Sequence, residues 1–177
     1  MQGYSIPQII KNLRKKMKEK GGVWSIEFVF VVFITLALIC MLLDLFILMW
    51  KFTTISQTTN YMTRVISLQG GVKQATPEGY PGGSEQYLTI AEMREDIVTM
   101  LRSGDIDEGE YRITINGKPF GSNVHVDYRE DIVVEMEVDY KWEFMSNFIP
   151  GNIEHAVHSN RATISEYKYH YDQWVGE

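Results

Sequence analysis

The chain has 177 residues, 45% of them hydrophobic and 23% charged, with a formal net charge of −6. At about 100–200 residues per domain, that leaves room for one small soluble domain beside any membrane segment. Residues 1–22 carry a net of +5 (Lys11, Arg14, Lys15, Lys16, Lys18 and Lys20 against Glu19) and residues 51–177 a net of −9. Such an acidic domain argues against nucleic-acid binding, which needs a basic face toward phosphates, and the single cysteine, Cys40, argues against a disulfide framework.

Residues 1–22 contain an amphipathic piece, Ile6 to Met17, with Ile9, Ile10, Leu13 and Met17 on one face, and read as a basic cytoplasmic leader that meets anionic headgroups. Gly21-Gly22-Val23-Trp24-Ser25-Ile26-Glu27 follows, and then an apolar run from Phe28 to Trp50. Between Lys20 and Lys51 only Glu27 and Asp44 are charged. At about 1.5 Å per residue this run is long enough to cross a hydrocarbon core of roughly 30 Å as one helix. Lysines on its amino-terminal side favour an amino terminus in the cytoplasm and an acidic domain outside.

Trp24 and Trp50, 26 residues apart, lie at about the spacing of the two interfacial aromatic belts. Asp44 lies 17 residues beyond Glu27, about 25 Å along a helix and so near the outer interface, where it either snorkels to water or pairs with a basic group on an adjacent subunit. Ile39 before Cys40 is the wrong residue for a lipoprotein signal, and no small-x-small cleavage site follows the apolar run. The helix is therefore expected to stay on the protein.

A basic segment, a glycine, four residues, a glutamate and an unbroken apolar helix resemble the amino terminus of type IV prepilins. The resemblance implies cutting by a membrane peptidase between Gly22 and Val23 and methylation of the new amine. Glu27 then stands fifth in the mature chain, where in that family the carboxylate pairs with a neighbouring subunit's amine. Val23 departs from the phenylalanine most common there. A carboxylate alone in a bilayer costs on the order of 2.5–3.5 kcal/mol, so a pair is the physically sensible arrangement.

Beyond Lys51 the spacing of Phe52, Ile55, Thr59, Met62 and Val65 or Ile66 stays helical, and Gly70-Gly71 supplies a stop. One helix of about 45 residues, from about Val23 to Gln69, is expected, with a weak point at the threonines of 53–59. Residues 70–87, with Pro77, Pro81 and their glycines, read as an exposed loop. Leu88 to Leu101 reads as a helix with a Thr89/Glu92 capping box and an apolar stripe of Ile90, Met93, Ile97 and Leu101. The acidic link Gly104 to Glu110 follows.

From Glu110 the period becomes two. Tyr111, Ile113 and Ile115 lead to the turn Asn116-Gly117, and Val124, Val126 and Tyr128 resume the alternation as the second arm of a long-looped hairpin. Ile132 to Phe144 reads as a long strand with Val134, Met136, Val138, Tyr140 and Trp142 on one face. A last strand is expected from about Arg161 to Tyr171. The fold class is α+β, with a long amino-terminal transmembrane helix, one further helix and an antiparallel sheet of about four strands. Its expected divisions are a leader (1–22), a transmembrane helix (23–50), its outer continuation (51–70) and an extracellular domain (71–177). This order of elements is similar to the TadE-like minor pilins of tight-adherence pili and their Gram-positive relatives.

Other constellations carry less. His155 and His158 stand three apart without a cysteine, and Asp105, Asp107 and Glu108 lack the rest of a calcium loop. There is no nucleophile elbow and no HExxH. Tyr167, Tyr169, Tyr171 and Trp174 fit either sugar stacking or an amphipathic edge strand. No catalytic set, metal site, cofactor or small-molecule substrate is therefore expected. The expected function is that of a single-pass, membrane-anchored pilin-like subunit whose partners are the lipid bilayer, a prepilin peptidase and other pilin-like subunits in a pilus, secretion or conjugation apparatus. The alternative is an uncleaved, signal-anchored extracellular binding or sensory module.

Overall fold

The alternation of Ile132, Val134, Met136, Val138 and Tyr140 decides the architecture. All five are buried in strand β5 (Asp131–Lys141), and their odd-numbered neighbours are exposed or half-buried. A computed structural model of the protein describes residues 6–81, 83–144 and 154–168, excepting the side chains of residues 6–25, 154 and 155. The other elements, in chain order, are α1 (Ile6–Gln69), β1 (Gly71–Val72), a 3₁₀ turn (Gly83–Glu85), α2 (Ile90–Arg102), β2 (Tyr111–Ile115), β3 (Lys118–Pro119), β4 (Val124–His125) and β6 (Glu154–Ile164). The protein is thus α+β.

Two units divide the chain. The first holds α1 up to Asp44 together with Glu143 and Phe144, and the second holds Leu45–Trp142 and residues 154–168. In the second unit a four-stranded antiparallel sheet has the order β3-β2-β5-β6, and β1 and β4 form a separate two-stranded sheet. The inward face of β2 and β5 meets Ile55, Met62 and Ile66 of α1 and Ile90, Met93, Ile97 and Leu101 of α2 in one core. Ile66→Ala should therefore lower stability by about 2–5 kcal/mol, as removal of a buried aliphatic side chain does. Leu68→Ala, at a position 52% exposed, should change it by less than about 0.5 kcal/mol. Urea midpoints of the detergent-solubilised protein at unchanged slope measure both.

α1 ends at Gln69 as expected but begins at Ile6 instead of near Val23, so the Gly21-Gly22 pair lies within helix. The threonines do not break it either. Thr53, Thr54, Thr58, Thr59 and Thr63 each donate their hydroxyl to the carbonyl four residues back, so their side chains stay within the helix's own hydrogen bonding.

Three expectations for the loops and strands are corrected. Residues 70–87 are not all exposed loop: β1 and the 3₁₀ turn lie there, and Val72 and Tyr87 are buried. Asn116 and Gly117, at φ of 49° and 74°, form the two-residue hairpin turn that favours left-handed residues, and join β2 directly to β3. Val124 then pairs with β1 instead of returning to β2. The last strand is Glu154–Ile164, several residues earlier than expected, and pairs with β5 along its whole length.

The Thr89/Glu92 capping box is present as read, with the Glu92 carboxylate accepting from the Thr89 hydroxyl and N–H. Those hydrogen bonds hold its carboxyl below the usual range.

Candidate functional site

From Ile26 to Leu36 every side chain of α1 is exposed, including Phe28 at 69%. Among the described residues one helix is long and apolar enough to cross a membrane, and it is this one. Glu27 sits within that stretch, exposed among Ile26, Phe28, Val29 and Phe30. Gly22 and Val23 lie inside helix, their side chains outside the described residues. The helix itself gives Glu27 nothing to bond with, because an α-helix consumes its own backbone donors.

Asp44 stands in the opposite situation. It is 0% exposed in an apolar stretch, and its Oδ1 accepts hydrogen bonds from the backbone N–H of Glu143 at 3.2 Å and of Phe144 at 3.0 Å. A carboxylate gripped by two successive amides is a common protein device for holding negative charge away from water. Ala37, Cys40 and Asp44, at helical spacing, form the one covered face of α1 between Ile26 and Asp44, while the remaining positions there are exposed. Nothing in the sequence announces this contact, since the donors are main-chain groups about a hundred positions away.

In the second unit the carboxy-terminal part of α1 is fastened by polar groups as well as by its core face. Gln69 donates to the Leu88 carbonyl at 3.1 Å and accepts from the Leu88 N–H at 2.9 Å, so a single side chain closes the whole 70–87 connection. Ser67 donates to the Ile164 carbonyl at 2.6 Å, and the Trp50 indole donates to the Ser103 carbonyl at 3.2 Å. Tyr61 donates to the Asp96 carboxylate. Burial, with that carboxylate adding, pushes its hydroxyl up to about 12.

A groove of about 440 Å³ runs between α1 and β6, lined on the helix by Asn60, Thr63, Arg64 and Ser67 and on the strand by Arg161 and Thr163, with Glu166 at its end. Arg161 also donates to the Ser56 hydroxyl at 3.1 Å. Both arginines are exposed. Nothing in the sequence connects them, because they lie 97 positions apart and neither belongs to a motif.

The remaining residues singled out by sequence are scattered. His155 and His158 both fall on β6. Asp105, Asp107 and Glu108 are exposed, and among the described residues no cluster of His, Cys, Asp or Glu has the proximity a metal needs. Tyr167 is buried, its ring stacked on Tyr80 at 5.8 Å. Tyr169, Tyr171 and Trp174 lie outside the described residues.

Compared with protein-family models, curated proteins and solved structures, the chain matches none.

Proposed function

We propose that the protein is a membrane-anchored, pilin-like structural subunit. On this reading it is cut between Gly22 and Val23 by a prepilin peptidase and assembled with its own kind through the amino-terminal helix. The observation that carries the proposal is the stretch Ile26–Leu43: a helix whose large apolar side chains are exposed, with Glu27 near its start and Asp44 just past its end. Its 18 residues span about 27 Å, close to the roughly 30 Å of a bilayer core. A soluble protein does not leave so continuous an apolar surface in water. The lysine-rich leader supports an orientation with the acidic second unit on the outer side of the membrane, since positive flanks favour the cytoplasm.

Mass spectrometry of the amino terminus from native membranes tests the processing step. The expected result is a chain starting at Val23 with a methylated amine, and accumulation of the leader-bearing chain when Gly22 is replaced by leucine. A wild-type protein that still carries the Lys11–Lys20 leader overturns it.

The arginine-lined groove between α1 and β6 favours a second reading, an uncleaved signal-anchored module that binds an acidic partner. The same spectrum separates the two, because that module keeps its leader.

A further inference from the structure

We propose that Phe144 is a second membrane contact, inserted into the outer lipid interface and held there by Asp44. The inference rests on the membrane reading of α1 given above and adds a contact that the helix alone does not supply.

Three observations converge on it. Phe144 is 39% exposed although it adjoins a fully buried carboxylate. The N–H groups of Glu143 and Phe144 converge on one oxygen of Asp44, so the backbone at 143–144 is fixed against α1 instead of hanging free. And Asp44 lies 17 residues beyond Glu27, a rise of about 25 Å, which sets it at the outer edge of a bilayer core whose inner edge is near Glu27.

A phenyl ring held at that level by its own backbone meets acyl chains or headgroup carbonyls. Met41, Leu42 and Leu43, on the turn of helix before Asp44, are exposed as well. The occupant that fits is the bilayer, because that turn has no polar rim before Asp44. Removing a phenyl side chain from water is favourable.

The role of Asp44 follows from the same geometry. A buried carboxylate in an apolar stretch is costly unless it is hydrogen-bonded, and here two amides donate to its Oδ1. Asp44 is a positioning residue: it does not touch lipid but fixes the segment that does.

The single cysteine makes the test direct. In full-length protein carrying Cys40→Ser, nitroxide labels are placed one at a time by Phe144→Cys, Leu38→Cys and Lys118→Cys. Each protein is reconstituted into vesicles of phosphatidylcholine and phosphatidylglycerol. Collision rates with oxygen and with a water-soluble nickel chelate then give depth.

The label at 144 is expected about 5–10 Å below the headgroups, that at 38 deeper, and that at 118 in water. With Asp44→Ala the label at 144 should move to the values of 118 while 38 stays unchanged. With Asp44→Asn, which keeps an acceptor oxygen, it should remain in lipid.

A label at 144 with water-like collisions while 38 is in lipid overturns this proposal and leaves the membrane reading standing. A label at 38 in water overturns the membrane reading itself. Low collision with both reagents at 144 means burial against protein, and also overturns the proposal. If Asp44→Ala does not fold, the depth of 144 in the Asp44 protein still decides.

Discussion

Gly71→Ala is expected to destabilise the protein by roughly 4 kcal/mol or more, beyond what most point substitutions cost. A Cβ built at Gly71 meets the Val124 carbonyl oxygen at 2.1 Å and the His125 Cα at 3.0 Å, and both are backbone atoms with no rotamer to move. They belong to β4, the strand with which β1 pairs through Gly71↔His125 and Val72↔Val124. Relief therefore means parting the two strands. That also strains the bond from the Val126 N–H to the Gly70 carbonyl at 2.9 Å, and uncovers the buried Val72 and Val124. The backbone at Gly71 adds to the cost, with φ at +139°, where side chains are rarely tolerated.

Gly117→Ala separates the two effects. Gly117 has φ at +74° with nothing within 4 Å, so an alanine there should cost only about 1–2 kcal/mol of conformational strain. Urea midpoints of the two variants should differ clearly. Equal midpoints would mean that β1 and β4 do not approach as closely as described.

What the sequence made legible was whatever a single element announces by itself. β5 and α2 were readable because burial alternates every second residue in one and every third or fourth in the other, and because Thr89 and Glu92 form their box within one turn. The misread parts depend on distant partners. Val124 and Val126 have a strand's alternation, but alternation does not say which strand they pair with, and the partner of Val124 is Val72, some fifty positions earlier.

β6 is hard to place from sequence for a different reason. It lies at the sheet edge and its inward positions include Val157, Ser159 and Thr163, which are small or polar, so there is little apolar rhythm to find. The tyrosines that follow offered a stronger but misleading one. At the candidate site, the distance from Glu27 to Asp44 was legible as a helical rise, whereas the amides of Glu143 and Phe144 that grip Asp44 were not.

Glu27→Gln should leave insertion intact and reduce recovery of assembled subunits at the cell surface by about tenfold, the factor that corresponds to 1.4 kcal/mol. The sign carries the argument. Were Glu27 merely an uncomfortable charge in the helix, its neutralisation would help the protein, since a carboxylate in the bilayer is costly. Were Glu27 paired with the freed amine of the next subunit, neutralisation would remove one half of a desolvated pair and leave a buried positive charge without its partner, which is strongly destabilising.

The two accounts therefore predict opposite changes from one substitution. The neighbours of Glu27, Ile26 and Phe28, are exposed and apolar, so the carboxylate stands in a surface that offers it no polar company. Glu27→Asp adds a geometric control: it retains the charge but shortens the reach by one methylene, and should fall between wild type and Glu27→Gln. Cross-linking of copies in intact membranes, with amino-terminal processing measured on the same samples, reads the result. Unchanged or improved cross-linking in Glu27→Gln would show that the carboxylate has no role between subunits.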